Sequence, residues 1–311
     1  MKDTIPELID NVDQKELSKN LFYLSKEPIT YRKVNYIAPD HKKNSLYEAD
    51  DYITETLESY GYKVEKEKCL AQAFRRDTSK PRAHQYSSPM PDDPFYDIYN
   101  LYAKKTGTKY PDSIIVFIAH KDSQSWIDSP GAYDNAVGTV AIMEIARVIK
   151  DYPSNCCFWF IFCNEEHAPW TSVTAAQNAK SRGDNIVAVF NIDGLGGKSY
   201  EDIDSGKKTN VTLYTTPEGE KIADMMSLVN KKYKIGLDQR KFMRPHPGDD
   251  DGSFVNAGFV NAVANCGSHP YTDPNYHLET DIPEFVDIQN VLMSTKLSLA
   301  CAVFFDMNYK P

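Results

Sequence analysis

The stretch CCFWFIFCNEE, residues 156–166, is an unbroken apolar run that ends in an asparagine and two adjacent carboxylates, Glu165 and Glu166. A run this short and this rich in aromatic residues predicts a β-strand that is buried on both faces. In open α/β sheets, ligands bind just beyond the carboxyl ends of such strands. Two like charges side by side are costly unless something offsets them, and a nearby metal ion is the usual reason. We therefore expect a site at this strand end.

Strands and helices alternate along most of the remaining chain. Further strands are predicted over 97–104, 113–119, 186–192, 211–215 and 260–265, and helices over 135–150, 172–181, 217–233 and 288–306. Strands that alternate with helices are typical of a parallel sheet, because parallel strands need a crossover between them. We predict a three-layer α/β/α fold with a mostly parallel, twisted mixed sheet and helices on both faces.

Three segments fall outside this alternation. Residues 1–68 are predicted to be mainly helical, with one helix over 48–60 that ends at Gly61, a residue type that commonly terminates helices. Residues 75–95 are rich in proline and serine and are predicted to form a long loop, and loops of this length often shape an active site. Residues 244–253 are polar and acidic and are also predicted to form a loop.

Composition limits the class of protein. A length of 311 residues, a hydrophobic content of 41% and a charged content of 25% are those of a folded globular protein. The chain shows neither a repeat nor an interdomain linker, so we expect a single domain over 1–311 with its functional core in 97–305. The net charge of −9 argues against nucleic acid or an anionic membrane as a partner.

Targeting signals and cysteine spacing bear on the cellular compartment. The N-terminal residues lack the apolar core of a signal peptide, and no apolar run approaches the roughly 20 residues that span a bilayer. We therefore expect a cytoplasmic protein without a membrane segment. The six cysteines include no CxxC pair, and three of them lie in the apolar run 156–163. We expect all of them to be reduced, with no cysteine ligating zinc.

Side chains that bind metals stand at or near the ends of several predicted strands. They are His120, Asp134, Glu165, Glu166, Asp193 and His277. Zn²⁺ accepts imidazole nitrogen and carboxylate oxygen, and this set contains no thiolate. Even with only one of the two adjacent glutamates as a ligand, two histidines and three carboxylates exceed what one zinc uses, but they suit two zinc ions about 3.5–4 Å apart that share one carboxylate and a water.

Each of these residues also has a simpler interpretation. A single histidine at a strand end, such as His120, is more often a hydrogen-bonded core residue than a metal ligand. Asp134 could cap the helix that follows it, and His277 in a polar loop could be a surface histidine. The joint occurrence of all of them, mostly at predicted sheet ends, favours a site over these separate roles.

The residues around these positions resemble the family of co-catalytic zinc exopeptidases that includes bacterial leucyl-type aminopeptidases, glutamate carboxypeptidase and glutaminyl cyclases. Six segments match in the family's order: AHKDS at 119–123, PGAYDN at 130–135, NEE at 164–166, NID at 191–193, DDDGSF at 249–254 with AG at 257–258, and YH at 276–277 with TD at 280–281. One segment alone would be moderate evidence, whereas six in order are strong evidence for a zinc exopeptidase fold.

The resemblance implies a role for each matching residue. The zinc ligands would be His120, Asp134, Glu166, Asp193 and His277. Asp134 would bridge two ions, and Glu165 would be the general base that takes a proton from the bridging water and returns it to the leaving amine. Asp122 would orient His120 through its other ring nitrogen. Tyr276 would either donate a hydrogen bond to the oxyanion or pack as a loop aromatic.

The activity that the resemblance implies is that of a di-zinc aminopeptidase, which removes the N-terminal residue from a peptide substrate. The alternative is a glutaminyl cyclase, an acyltransferase that forms pyroglutamate with one zinc, and Trp170 and Asp250 point towards it. A receptor-like relative without catalysis would lack a ligand or the base, and none is missing. Gly248 stands where some aminopeptidases have an arginine that helps to bind substrate, and the paired arginines of glutamate carboxypeptidase are not evident.

Overall fold

A computed structural model describes residues 3–311, so residues 1 and 2 of the predicted N-terminal helical segment lie outside the described part. The described residues contain the α-helices α1 Ile5–Asp10, α2 Gln14–Ser25, α3 Ser45–Ser59, α4 Val137–Ile149, α5 Thr171–Arg182, α6 Tyr200–Asp204, α7 Pro217–Lys232, α8 Asp249–Ala257 and α9 Ile288–Asn308. Their strands are β1 Val64–Ala73, β2 Arg75–Arg76, β3 Tyr86–Ser87, β4 Tyr96–Lys105, β5 Tyr110–His120, β6 Cys156–Cys163, β7 His167–Ala168, β8 Asn185–Ile192, β9 Thr209–Tyr214, β10 Asp238–Met243 and β11 Ala262–Cys266.

Nine of the described strands form one sheet, in the order β10-β9-β11-β8-β5-β6-β4-β1-β7. The central strands β11, β8, β5 and β6 run parallel to one another. On one side β4, β1 and β7 are added in antiparallel pairs, and on the other β9 is antiparallel to β11 while β10 is parallel to β9. The parallel centre places its carboxyl ends along one edge, where α/β proteins bind ligands.

Helices cover both faces of the sheet. The side chains of β5 alternate between two apolar clusters, because successive residues of a strand point to opposite faces. Ile115 and Phe117 pack in a cluster with α1, α2, α3, α4, α7 and α9, whereas Ile114 and Val116 pack in a cluster with α5 and α8. A mixed sheet between two layers of helices confirms the predicted fold class.

The apolar run 156–163 is strand β6, with the predicted bounds. Its side chains are buried on both faces except Trp159, which is partly exposed. Phe158 and Phe160 stack against Phe117 of the neighbouring strand at ring-centroid distances of 6.4 and 6.1 Å. Such packing makes the centre of the sheet well ordered, and it fixes the position of the polar residues that follow Cys163.

The prediction of a loop over 244–253 is wrong from Asp249 onwards, because α8 begins there. Three consecutive aspartates occupy the first turn of this helix, where the positive end of the helix dipole favours carboxylates. Gly258 ends the helix in the left-handed region at φ 102°. The acidic first turn and the terminal glycine are both present in the sequence, but the polar and acidic composition of the segment favoured the prediction of a loop.

Two other regions are more ordered than the sequence predicts. Within the long loop 75–95, β2 and β3 form an antiparallel pair and a turn of 3₁₀-helix covers Arg82–His84. Strand β10 and the short helix α6 have no counterpart in the prediction. Most residues of β10 are exposed or half-buried, so it lacks the apolar pattern that reveals an internal strand.

Two expectations concern membrane segments and cysteines. The absence of a membrane segment stays a prediction, because α9 is long and apolar enough to span a bilayer by length and composition, with an 18-residue window of mean hydropathy 1.4. Since 61% of that window is buried and the helix contacts α1, α4 and α7, α9 has the environment of a core helix. The six cysteines are buried and unpaired, as the sequence predicts.

Candidate metal centre

Three parallel strands bring the predicted residues together. β8, β5 and β6 are neighbours in the sheet, and their carboxyl ends lie side by side. His120 ends β5, Asp193 directly follows β8, and Glu165–Glu166 follows β6. Asp134 lies in the irregular turn before α4, and His277 lies in the loop between β11 and α9. All of these residues line one cavity.

One group of side chains that could hold a metal ion consists of His120, Asp134 and Asp193. Nε2 of His120 lies 3.0 Å from Oδ1 of Asp134 and 3.5 Å from Oδ1 of Asp193. All three residues are buried. We call this set the first ligand group. The sequence predicts each of its members as a ligand, and their donor atoms lie within 4.8 Å of one another.

The second ligand group consists of Asp134, Glu166 and His277. Nε2 of His277 lies 2.9 Å from Oδ2 of Asp134 and 3.4 Å from Oε1 of Glu166. Asp134 therefore offers one carboxylate oxygen to each group. A bridging ligand between two metal ions requires this arrangement.

The orientation of both imidazole rings suits metal ligation. Nδ1 of His120 faces Oδ1 of Asp122 at 3.2 Å, and Nδ1 of His277 faces the backbone oxygen of Ala83 at 2.9 Å. A proton on each Nδ1 satisfies these contacts and leaves a lone pair on Nε2, which is how a metal-binding histidine is held. Imidazole nitrogens and carboxylate oxygens without thiolates are a donor set that fits zinc.

The electrostatics of the site favour a cation. Burial alone would lower the pKa of His120 and of His277, but hydrogen bonds and charges from the surrounding carboxylates raise both pKa values well above the usual range. Burial would raise the pKa of Asp134, but its hydrogen bonds to both histidines lower it below the usual range. Carboxylates that hold a proton on an imidazole in this way are equally placed to hold a divalent ion.

Glu165 faces the same cavity but belongs to neither ligand group. Its pKa is raised well above the usual value, because the side chain is buried and because Asp250 and Asp249 lie nearby. Its Oε2 atom has no hydrogen-bond partner within residues 3–311. A carboxylate that does not ligate a metal and holds a proton unusually well has the properties of a general acid–base group.

Asp122 contacts residues at the ends of two of the three strands that carry the site, β5 and β6. Its Oδ1 faces Nδ1 of His120 and accepts the backbone N–H of Glu165 at 3.0 Å. Its Oδ2 accepts the backbone N–H of Glu166 at 2.9 Å and Nδ1–H of His167 at 2.7 Å. The contact with His120 that the resemblance implies is present. His167, which sequence reasoning missed, is fully buried, and its position directly after the Glu pair was the available signal.

Two uncharged side chains also contact the ligands and were not predicted. Nε2 of Gln124 donates to Oδ2 of Asp134 at 3.0 Å and to Oε1 of Glu166 at 3.1 Å. The hydroxyl of Tyr271 donates to Oδ2 of Asp193 at 2.9 Å. Amides and hydroxyls occur throughout polar loops, so neither residue type indicates a metal site in a sequence.

The cavity has a volume of about 220 Å³. Besides the two ligand groups and Glu165, it is lined by Phe74, Tyr86, Trp126, Trp170, Asp249, Tyr271 and Tyr276. Tyr276 therefore lies at the site, and its ring stacks on His277 at a centroid distance of 3.8 Å. The loop 75–95 contributes Tyr86 to the wall, as the length of that loop suggests. No lysine or arginine in the described part of the chain lines the cavity.

Sequence comparisons relate the chain to zinc-dependent peptidases. Residues 100–302 match Peptidase family M28. A probable zinc metalloprotease from Pyrenophora teres f. teres is 32% identical over 129 residues, which are 39% of this chain and 26% of that protein. Leucine aminopeptidase 1 from Fusarium vanettenii is 22% identical over 310 residues, which are 96% of this chain and 71% of that protein. The chain thus spans about a quarter of the length of the first relative.

Solved structures share the fold. LapB from Legionella pneumophila matches with a TM-score of 0.74 at 17% identity, over 99% of this chain and 76% of that chain. The glutaminyl cyclase from Bacteroides thetaiotaomicron matches with a TM-score of 0.71 at 17% identity, over 96% of this chain and 99% of that chain. The family match covers more than half of the sequence and agrees with this fold, so the chain belongs to peptidase family M28.

Proposed function

We propose that this protein is a di-zinc aminopeptidase that removes the N-terminal residue from peptides. The observation that carries the proposal is the pair of ligand groups that share Asp134, with Glu165 beside them in one cavity. The names of the related zinc metalloprotease and leucine aminopeptidase support the same activity. The ions would be held by His120, Asp134 and Asp193 and by Asp134, Glu166 and His277.

The residues of the cavity divide the chemistry between them. Bound zinc would lower the pKa of a water molecule and polarise the scissile carbonyl. Glu165 takes a proton from the attacking water, because its carboxylate faces the cavity without ligating a metal. The same carboxyl group then passes this proton to the leaving amine. The hydroxyl of Tyr276 donates to the oxygen that gains negative charge.

The charges of the cavity favour the N-terminal end of a peptide. Asp249 and Glu165 line the cavity, whereas no described lysine or arginine does. Arg244 is not free to bind a terminal carboxylate, because it donates to Oδ2 of Asp249 at 2.7 Å and to Asp251. An acidic wall suits a substrate ammonium group and disfavours a C-terminal carboxylate. The aromatic side chains of the wall suit an apolar N-terminal residue.

Glutaminyl cyclase is the second candidate, because Trp170 lines the cavity. In that reaction Glu165 would move a proton from the attacking amine of an N-terminal glutamine to the departing ammonia. The two complete ligand groups favour two ions over one, and therefore hydrolysis over cyclisation.

Substrate turnover and metal content separate the two functions. With leucine p-nitroanilide and a glutamine-terminated peptide as substrates, we expect chelator-sensitive release of p-nitroaniline and no pyroglutamate. Elemental analysis of the purified protein should give two zinc ions per chain. Pyroglutamate formation with one zinc per chain would favour the cyclase. Zinc content well below two, together with no chelator-sensitive hydrolysis, would contradict the proposal.

The Glu165→Gln variant tests the base. The amide keeps the shape of the side chain but accepts no proton at neutral pH, so kcat should fall by roughly 10²–10⁴-fold while zinc content stays unchanged. Glu220→Gln is the matched control, because Glu220 is partly exposed, pairs with Lys241 and does not line the cavity. The control should retain wild-type kcat. Near-wild-type activity in Glu165→Gln would show that another group moves the proton.

A further inference from the structure

The segment between α2 and α3 lies outside the matched residues 100–302, yet it contacts the loops that carry metal ligands. Its Arg32 is 0% exposed. The guanidinium donates to four backbone carbonyl oxygens, those of Lys121 (2.6 Å from Nε), Pro130 (2.7 Å from Nη1), Gly131 (2.8 Å from Nη2) and Leu24. A single side chain therefore joins several separate stretches of backbone.

The complete burial of the Arg32 guanidinium requires a physical explanation. Arg32 donates only to backbone carbonyls among the described residues, and burial lowers its pKa to about 10. It stays protonated at neutral pH, and the charges of Asp281, Asp122 and Asp134 help to keep it so. A buried cation without a paired carboxylate destabilises a fold relative to an apolar residue of similar size. The contacts that it makes should therefore matter for the site.

These contacts connect two ligands of the first group. Lys121 directly follows His120, and Gly131 lies three residues before Asp134. The donors of a guanidinium form a rigid planar fork, so they set the backbone after one ligand relative to the backbone before the other. Arg32 thus helps to set the distance between His120 and Asp134, although it contacts the side chain of neither.

The packing around this fork is close. Gly131 has φ 60°, and a β-carbon at this position would lie 2.8 Å from Cβ of Ser123 and 3.0 Å from Nη2 of Arg32. The backbone N–H of Arg32 donates to Oγ of Ser123 at 3.0 Å, and the N–H of Ser123 donates to the carbonyl of Arg32 at 3.0 Å. Both the side chain and the backbone of Arg32 therefore hold the loop that follows β5.

A second contact runs from the same segment to the Glu pair. The backbone N–H of Val34 donates to Nε2 of His167 at 3.3 Å. The ring proton must then reside on Nδ1, which donates to Oδ2 of Asp122 at 2.7 Å. Asp122 in turn faces Nδ1 of His120 and accepts the backbone N–H of Glu165. The segment thus supports both an imidazole ligand and the proposed base.

We propose that Arg32 is a positioning residue of the metal centre, which holds the loops of His120 and Asp134 at the separation that zinc ligation needs. The inference rests on the proposed function only in that the site binds zinc. Docking of the N-terminal helices does not explain the arginine, because α1 and α2 already bury apolar side chains such as Ile5 and Leu21, respectively, in the main core.

The Arg32→Lys variant tests this role, because it keeps the charge but loses the planar fork. We expect zinc affinity, measured by competition with a chromophoric chelator, to fall about 10–100-fold. In the metal-free protein, amide hydrogen exchange should become faster over 120–136. Ile5→Ala is the matched control, because Ile5 is buried in α1, which packs mainly against α9, so the cavity that the variant creates lies away from these loops. It should lower Tm but leave zinc affinity and exchange over 120–136 unchanged.

Two outcomes would overturn the proposal. One is wild-type zinc affinity and exchange in Arg32→Lys. The other is an equal loss of zinc affinity in Ile5→Ala at a similar decrease in Tm, because the arginine would then contribute stability alone. Neither measurement depends on turnover, so a protein that binds zinc but hydrolyses no peptide would contradict only the proposed function. If the wild-type protein bound no zinc, the difference in exchange between the two variants would still decide the positioning role.

Discussion

The two ligand groups share Asp134 but are supported differently. The first group is held by the central sheet, because His120 ends β5 and Asp193 follows β8. The second depends on His277, which lies in a loop and has its backbone in the left-handed region at φ 57°. A histidine adopts this conformation rarely and at an energetic cost, so surrounding contacts must maintain it.

The contacts that orient the two imidazole rings differ in the same way. Nδ1 of His120 faces Asp122, a fully buried carboxylate next to the same strand. Nδ1 of His277 faces the backbone oxygen of Ala83 in the loop 75–95. The imidazole of the first group is therefore supported by the sheet, and the imidazole of the second group by two loops. Sites on strands are held more rigidly than sites on loops, so we expect the first group to bind its ion more tightly.

Asp134→Asn should have the largest effect on metal binding, because the variant removes the charge that both groups share. We expect both ions to bind more weakly by more than roughly 100-fold, with a zinc content below one per chain after gel filtration. Asp238→Asn is the control, because Asp238 is exposed, pairs with Arg240 and lies outside the cavity. Retention of one ion at wild-type affinity would show that Asp134 serves one group alone and does not bridge.

Asp122→Asn should act mainly on the first group. The amide can keep an oxygen towards the backbone N–H of Glu166 and the ring of His167, but its nitrogen would then face the protonated Nδ1 of His120. We expect the tighter ion to be bound about 10–100-fold more weakly and the weaker ion to be less affected. Stepwise chelator titration resolves the two ions. Equal weakening of both would mean that Asp122 supports the whole centre.

The difference in support between the two ligand groups also explains how much of the fold and the site the sequence could predict. His120, Asp193 and Glu165 stand at or near the ends of buried strands, and a buried strand such as β6 is visible as an apolar run. The contact between Ala83 and His277 is not visible, because it uses a backbone oxygen that any residue provides. Arg32 is similar, since an arginine between two helices is normally a surface residue and its burial depends on the packing of distant loops.

We expect the smallest effect on metal binding from removal of the ion pair that joins the loop 75–95 to the loop of His277. Arg82 donates to Glu279 at 2.7 Å, and their side chains are 62% and 36% exposed. Exposed ion pairs contribute little to stability, so Arg82→Ala should weaken binding of the second ion by at most about fivefold and leave the first ion unchanged. The measurement is the same stepwise chelator titration, with Arg182→Ala as control because Arg182 pairs with Asp184 at a site remote in sequence from both loops.

Ionic strength offers an independent check on this last prediction. Salt screens an exposed ion pair but acts much less on buried contacts such as that between Asp122 and His120. Raising the salt concentration should therefore reproduce the effect of Arg82→Ala on the second ion, and it should have little further effect in the variant itself. If Arg82→Ala weakened the first ion as much as the second, the loop would hold the centre as one unit, and the unequal support of the two ligand groups would have no consequence for metal binding.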